Sequence, residues 1–482
     1  MAGQTELAAS SVIEKTELEQ IEYGKEGKAA RDYSGVAAKT SPEEIALVRK
    51  LDWIIIPVLW VLYFCNFMDR NAITNGRLNT LVEDLSLKGS EYNTAISVLF
   101  AGYLFGQIPS NMILTRVRPS WYMAGFAMVW SVISGLMALV HDYKSLVAIR
   151  FVLGLVEAPF YPGALYLLSI FYTKKEIGLR IALFYTGNIM ANAVCGLFAA
   201  AIFATLDGAY GIAGWRWLFI ITGVVSFGCG FISLFFLPNT PMTTWWLNED
   251  EKLLAHARVL RDTTEESGTV SMWRGLKQAV MDYRTWLFCF NMNMHVSGDS
   301  FKNFFPSVVR TLNFNTTVTL ALTCPPFIVS MFGSAILSWS SGKRNERTWH
   351  IVIATVFVIA GFVMAAATTN VPVRYIGMVI FVSFSSGVND ITLGWAASTL
   401  GQTPEKKAVA MAMVNMLSNL ASVYTPYLWP SSDAPKYVMG MSSCAGFSVM
   451  VILSTFAITW ALKRDNQRIR QTAPETVVLY AY

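Results

Sequence analysis

The sequence predicts an all-α membrane protein with twelve transmembrane helices in two halves of six. The chain is 54% hydrophobic and only 14% charged, a composition typical of a protein surrounded by lipid. Apolar runs of about 20 residues, the length that crosses the hydrocarbon core as a helix, recur along the chain. A long polar stretch near the middle separates the first six runs from the last six.

The predicted spans are the apolar runs bounded by charges or turns. In chain order they are residues 52–76, 92–114, 119–140, 144–172, 178–206, 215–237, 284–311, 317–342, 348–368, 372–399, 405–428 and 437–462. The chain then divides into five parts. These are an N-terminal tail with a short amphipathic helix (1–50), the first half (51–237), a central loop (238–283), the second half (284–462) and a C-terminal tail (463–482).

The placement of Lys and Arg predicts the orientation. Short loops after the even-numbered spans are basic, as at Lys343 and Lys406, whereas the opposite loops hold fewer cations. Arg49 and Lys50 precede the first span. By the positive-inside rule, both termini and the central loop are cytoplasmic. We expect a multi-pass protein of the plasma membrane.

Several functional classes are disfavoured by what the sequence lacks. The six cysteines all fall inside apolar segments without a repeated spacing, so neither a disulfide framework nor a zinc site is indicated. The central loop has no glycine-rich phosphate loop and therefore no ATP site. We expect no enzymatic activity, no cofactor, no metal and no nucleic-acid partner. Residues 1–50 show no cleavable signal peptide, so the first span is the expected targeting signal.

The fourth span carries the strongest functional signal. It holds Arg150 and Glu157, followed by Pro159 and Pro162. Seven residues are nearly two helical turns, so both charges share one stripe, about 10 Å apart along the axis. Each charge inside a bilayer costs about 2.5–3.5 kcal/mol, which predicts a polar interior for this stripe to face. The alternative is a buried ion pair between Arg150 and Glu157 that only holds helices together.

The first span ends in a polar cluster. Asn66, Asp69, Arg70, Asn71 and Asn75 follow an apolar run. Either they mark the helix end, with Arg70 reaching the headgroups, or they face inward. We favour the inward orientation, because the short side chain of Asp69 cannot reach far.

Further polar residues lie inside other spans. Asn188 and Asn192, four residues apart in the fifth span, either line a cavity or bond across helices. In the second span, Gly102 and Gly106 belong to a ladder of small residues that indicates close helix packing.

The second half offers fewer distinctive charges. Asn291, Asn389 and Asn415 are weaker candidates for lining a pocket. His295 is either a proton relay or a packing residue, and we favour packing.

Asp299 and Lys302 lie in the same span as His295. At a spacing of three they can pair with each other, which weakens the case that either binds substrate.

Extended motifs resemble those of a known family. The chain resembles the major facilitator superfamily over about residues 41–465, and within it the anion:cation symporters, closest to the fungal branch of allantoate, nicotinate and pantothenate permeases. The motifs are Asp69-Arg70-Asn71, GYLFGQIPSN at 102–111, RFVLGLVEAPFYPG at 150–163, GWRWLFIITG at 214–223, FFPSVVRTLNF at 304–314, TCPPF at 323–327 and YLWPSSDAPKYVMG at 427–440.

The resemblance implies a major facilitator fold and supplies roles for the charged residues. By similarity, Arg70 and Arg150 bind the carboxylate of a substrate, and Asp69 and Glu157 carry the coupling proton. Arginine is permanently charged and makes forked bonds to carboxylates, which suits the first role. The implied function is proton-coupled symport of a small organic carboxylate by alternating access, with the proton as coupling ion. One departure is SSGKRNER at 340–347, where relatives commonly have an Asp near Ser341.

Two other functions remain as alternatives. An exporter of a carboxylated fungal metabolite would share the same binding chemistry and differ only in the direction of flux. A nutrient sensor is less favoured, because sensors usually need an effector region and both tails are short. We expect a monomer in either case.

Overall fold

The computed structural model describes residues 42–114, 117–173, 176–264, 272–401, 404–472 and 480. Most of the predicted N-terminal tail therefore lies outside the described residues. Regular structure within the described ranges is helical throughout, with α-helices joined by short 3₁₀ turns and no strand.

The helices follow the predicted spans closely. In the first half they are α1 (Pro42–Gly76), α2 (Leu81–Asp84), α3 (Glu91–Leu114), α4 (Pro119–Leu136), α5 (Tyr143–Glu157), α6 (Phe160–Phe171), α7 (Ile177–Leu206) and α8 (Gly214–Phe236). The central loop contains α9 (Glu249–Thr264) and α10 (Met272–Met281). The second half contains α11 (Tyr283–Gly298), α12 (Phe305–Arg310), α13 (Thr316–Leu322), α14 (Cys324–Arg344), α15 (Thr348–Ala367), α16 (Val371–Thr399), α17 (Pro404–Asn419), α18 (Ala421–Tyr424) and α19 (Val438–Thr472).

Within the described ranges, nine helical segments are long and apolar enough to cross a membrane. They correspond to the predicted third to sixth and eighth to twelfth spans. The other three predicted spans lie on α1, α3 and the α11–α12 pair. An all-helical membrane fold is therefore confirmed, whereas the count of twelve spans stays a prediction.

One span in each half is broken where charged residues occur. α5 ends at Glu157, just before Pro159, which has no N–H to continue the helical ladder. α11 gives way to a 3₁₀ turn at Asp299–Asn303, and Pro306 then sits in the first turn of α12. Interrupted spans of this kind are typical of transporter sites.

The helices pack in two groups that match the two halves of the chain. α1 packs on α7 and α8, and α4 packs on α8, whereas α16 packs on α14 and α15, and α11 packs on α17 and α19. The groups meet along two seams, where α7 contacts α13 and α14 and where α3 contacts α18.

The contact between α3 and α5 depends on glycine. A Cβ at Gly102 would overlap the carbonyl oxygen of Phe151, and one at Gly154 would overlap that of Leu99. At Gly106 an added Cβ would lie 2.7 Å from a backbone oxygen of α5. The predicted packing role of Gly102 and Gly106 is confirmed, because these two helices touch backbone to backbone.

We call the end of the bundle where α1 begins and α19 ends the terminal face. Here α9 is tied to the first half by ion pairs. Arg258 contacts Glu44 and Glu176, both at 2.7 Å, and Lys50 contacts Glu251 at 2.7 Å. Within the central loop, α9 therefore docks on the first half, whereas α10 packs on α17 of the second half.

The second half has its own charged cluster at the terminal face. Asp282, which caps α11, accepts hydrogen bonds from Arg284 at 2.9 Å and Lys406 at 2.5 Å. Burial opposes ionisation of Asp282, but these hydrogen bonds outweigh it and hold the pKa of its carboxyl below the ordinary value. The ionised Asp282 carboxylate therefore stabilises the folded protein fully above the ordinary aspartate pKa of about 3.9. This contribution is lost as the pH falls from that value through the lower pKa of the folded protein.

The opposite end, which we call the distal face, joins the two halves. Arg77 donates to the hydroxyl of Ser431 at 2.8 Å, and Asn93 donates to the carbonyl of Trp429 at 3.3 Å. Two further bonds cross the seam here, from Ser97 to the carbonyl of Val423 (2.5 Å) and from Arg310 to the carbonyl of Leu78 (3.1 Å). The structure therefore represents a state in which the halves meet at the distal face.

Candidate functional site

An ion pair between α1 and α5 forms the centre of the candidate site. Arg70 donates through Nε to the Oε2 atom of Glu157. The guanidinium also lies over the rings of Phe67 and Tyr103, 5.2 and 4.8 Å from their centroids. The Glu157 side chain is fully buried, and its other oxygen has no partner among the described residues. The polar cluster of α1 therefore faces inward at Arg70, as predicted.

Arg150 lies two turns before Glu157 and does not form the predicted alternative pair with it. Its Nε donates to the carbonyl of Ala95 at 3.2 Å, and its Nη1 atom has no partner in the described chain. The residue is only 2% exposed. Arg150 thus presents an unused donor within the first half, whereas Glu157 is engaged by Arg70 on another helix.

Asp69 is separated from this pair. Consecutive helical residues point about 100° apart, so Asp69 and Arg70 leave α1 in different directions. The Asp69 carboxylate accepts a hydrogen bond from Ser134 of α4 at 3.2 Å, and Thr222 and Ser226 of α8 lie beside it. It is completely buried, and its second oxygen has no hydrogen-bond partner in the described ranges. Asp69 and Glu157 therefore occupy two sites rather than one.

Asn188 and Asn192 form an amide ladder that extends across helices. The Nδ2 atom of Asn192 donates to the side-chain oxygen of Asn188 at 2.7 Å, and Asn71 of α1 donates to Asn192 at 3.1 Å. Asn192 also lines a small cavity between the halves, together with Asn71, Thr74 and Lys302. At Asn192 both predicted alternatives hold, since this amide bonds across helices and also faces a cavity.

The three candidate amides of the second half have different surroundings. Asn389 donates to the hydroxyl of Tyr185 on α7 at 3.5 Å, which places it at the seam between the halves. Asn415 accepts a hydrogen bond from Asn419, 3.1 Å away on its own helix. Asn291 donates to Ser454 of α19 at 2.7 Å and is buried between two helices of the second half. The structure does not bring Asn291 together with the Arg70 pair.

The second half contributes charges that sequence reasoning left without a role. Asp299 pairs with Lys302, as predicted, and also accepts from Ser385. The Nε2 atom of His295 lies 4.0 Å from the Asp299 carboxylate. Asp390 follows Asn389 directly. The spacing of Asp299 and Lys302 predicted that they pair. Nothing in the sequence indicates that Lys302 also lines a cavity with Asn71 and Asn192 across the seam.

The described residues contain no group of three or more His, Cys, Asp or Glu side chains that could hold a metal ion. The charged and polar side chains described above are two arginines, a lysine, carboxylates and amides. Such a set binds anions, exchanges protons and orients a polar cargo.

Transporters bind their cargo at mid-membrane depth, between two groups of helices and beside breaks in the spans that carry charged residues. The fold and the site define a membrane transporter. Residues 59–426 match the Major Facilitator Superfamily, and the chain belongs to that family. It is an integral, multi-pass membrane protein that acts on a small molecule and is not an enzyme.

Curated relatives and solved structures agree with this assignment. The chain is 28% identical over 437 residues to the major facilitator-type transporter hxnP of Emericella nidulans, covering 88% of this chain and 87% of that one. It is 25% identical over 445 residues to the pantothenate transporter liz1 of Schizosaccharomyces pombe, covering 88% and 84%. A bacterial homologue of the human lysosomal transporter Spinster, solved inward-facing and unoccupied, has the same fold (TM-score 0.69, 15% identity, 89% and 99% covered). The resemblance to fungal permeases of this superfamily is confirmed.

Proposed function

We propose that the protein is a proton-coupled symporter for a small organic carboxylate. Arg70 and Arg150 bind the carboxylate, and Glu157 and Asp69 carry protons. The pairing of Arg70 with Glu157 is the observation that carries this proposal. The counter-ion of the anion-binding arginine is itself a group that takes up a proton.

This pairing supplies a physical mechanism for coupling. While Glu157 is ionised, it occupies the guanidinium that a substrate carboxylate needs. Protonation of Glu157 removes that competitor, and the substrate replaces it with forked, charge-assisted hydrogen bonds. Proton and anion then load together and neutralise each other, which lowers the cost of moving both through a low-dielectric interior. The unused donor of Arg150 gives the carboxylate a second cation nearby.

The remaining features follow from the same proposal. The chain crosses the plasma membrane twelve times as a monomer, with both termini and the central loop in the cytoplasm. The basic loops at the terminal face support this orientation. The structure then represents a state closed to the outside, because the distal face is where hydrogen bonds join the halves. The relative liz1 is named a pantothenate transporter, and pantothenate is a carboxylate, which is consistent with the proposed substrate class.

Uptake into liposomes tests the proposal. The purified full-length chain is reconstituted with an inward proton gradient, and uptake of small carboxylates is compared with that of their amides or esters. We expect gradient-stimulated uptake of at least one acid and not of its amide. Arg70→Gln should reduce this uptake by about tenfold or more, since it removes a charged partner of the carboxylate.

Arg344→Gln is the matched control, because Arg344 is an exposed cation at the end of α14. It should leave uptake unchanged. The proposal fails if no acid moves, or if a neutral analogue moves as well as the acid.

A further inference from the structure

The charged groups inside the spans of the two halves have opposite net sign. The first half offers Arg70, Arg150 and Glu157, which have a positive excess when all are ionised. The second half offers Asp299, Lys302 and Asp390, which have a negative excess. Two other groups lie nearby. Asp69 is turned away toward α4 and α8, and His295 stands behind Asp299.

Asp390 is the group that creates the negative excess. Asp299 is balanced by Lys302, but Asp390 has no ion-pair partner in the part of the chain that the structure describes. Its one hydrogen bond there comes from the neighbouring amide of Asn389 at 3.3 Å. An ionisable group inside a span without a partner costs free energy and therefore marks a functional site.

The position of Asp390 is set by its neighbour. Asn389 reaches Tyr185 of the first half, and Asp390 itself lies within electrostatic range of Tyr185 and Lys302. Its carboxylate thus stands close to the seam, on the half opposite Arg70. On the first half, the Nη1 donor of Arg150 and one oxygen of Glu157 have no hydrogen-bond partner among the described residues.

We propose that the substrate is amphoteric, with its carboxylate held by Arg70 and Arg150 and a protonated amine held by Asp390. This inference rests on the proposed function and narrows its substrate class. A ligand of this kind bridges the two halves, matching the positive excess of one and the negative excess of the other. Its ammonium group also gives Asp390 the ion-pair partner that it lacks within the described chain, beside the hydrogen bond from Asn389.

The bridge implies selection against plain acids. A carboxylate without the N–H group satisfies the first half but leaves Asp390 without a charged partner as the halves close. Discrimination of this kind is strong, because a buried charge left unpaired is more costly than a missing apolar contact.

The test uses pairs of acids that differ only in an amino group. Suitable pairs are β-alanine with propionate, γ-aminobutyrate with butyrate, ε-aminocaproate with caproate, and para-(aminomethyl)benzoate with para-toluate. Each is offered to the full-length chain in liposomes under an inward proton gradient. In at least one pair, we expect the amino acid to enter roughly tenfold faster than the plain acid.

Variants then assign the preference. Asp390→Asn should bring the ratio within the pair close to one while uptake of the plain acid persists, and Asp390→Glu should retain part of the preference. Glu83→Gln, which removes an exposed carboxylate from α2, should leave the ratio unchanged. The comparison of pairs on the unmodified chain needs no variant and stands even if Asp390→Asn does not fold.

Each outcome has one meaning. The inference is overturned if plain and amino acids enter equally well, or if the preference survives Asp390→Asn. It is also overturned if Asp390→Asn changes only the number of protons that enter per substrate, since Asp390 would then be a second proton carrier. In all three cases uptake that depends on Arg70 would leave the proposed function intact. That function fails separately if no acid of either kind is taken up.

Discussion

The Arg70–Glu157 pair has the properties of a switch. The arginine cannot lose its charge, whereas the carboxylate can, so the pair exists in two states that differ by one proton. Removing one partner of a buried ion pair typically costs about 3–5 kcal/mol, because the other charge is left unbalanced. In the proposed mechanism, a substrate carboxylate removes that cost by taking the place of Glu157. Under that proposal, binding and protonation are linked at one residue pair.

Glu157→Gln tests this link directly. Glutamine keeps the shape of the side chain but has neither charge nor titrating proton. We expect proton-driven uptake to fall by at least about tenfold, while exchange of labelled for unlabelled substrate persists, since Arg70 remains free to bind. The two activities are measured side by side in liposomes. An equal loss of both, with normal yield of folded protein, would indicate that Glu157 is only structural.

Sequence reasoning reached the charged residues but not all of their partners. Arg70 and Glu157 are conspicuous because charges are rare inside spans. That Glu157 pairs with Arg70 rather than Arg150 depends on the rotation of α1 against α5, which no local pattern encodes. The same holds for Asn291. Its spacing in α11 allows either a cavity or a helix contact, and only the packing of α19 decides between them.

At the scale of elements, the breaks in α5–α6 and α11–α12 position the charged groups. The first break follows from local sequence, since Pro159 cannot continue the helical ladder, and Pro306 lies in the first helical turn after the second break. Most spans were therefore predictable to within a few residues, although α1 begins ten residues before its predicted span and α19 ends ten residues after its own. The close approach of α3 and α5 was also predictable in kind, from the small residues of the second span.

Gly154→Ala tests how much the site depends on this contact. The added methyl group would overlap the carbonyl oxygen of Leu99 and push α5, which carries Arg150 and Glu157, away from α3. Overpacking of this kind costs about 1–3 kcal/mol, so we expect a lower melting temperature and less monodisperse protein on size exclusion.

Gly228→Ala is the control, because an added methyl on that part of α8 meets no atom within 4 Å. It should melt at or above the temperature of the unmodified chain, since alanine favours the helix. Equal melting temperatures for both variants would contradict the proposed packing.

At the scale of the whole molecule, the two halves touch at the distal face and along the seam where α7 meets α13 and α14. Transport by alternating access requires the distal contacts to break and re-form as the halves rock. The halves themselves were predictable from the central polar stretch. Which face is closed was not predictable, because the contacts between halves join residues far apart in the chain, such as Thr94 and Tyr427, which are 333 positions apart.

A cross-link across the distal face should stop this motion. Thr94 and Tyr427 lie 3.1 Å apart through their hydroxyl groups, one in each half. In a cysteine-free background, Thr94→Cys with Tyr427→Cys, joined by a short bifunctional thiol reagent, should abolish uptake. The matched control is Lys50→Cys with Glu251→Cys, which joins α1 to α9 on the terminal face. Full uptake by the distal cross-linked protein would contradict a rocking mechanism.

The most direct test of the central claim is to record proton entry together with substrate entry. The reconstituted protein is given a transported carboxylate with no imposed gradient, and a dye reports the pH inside the liposomes. The account predicts internal acidification that follows substrate uptake, exceeds that of protein-free liposomes and disappears in Glu157→Gln. Substrate uptake without any change in internal pH would contradict it.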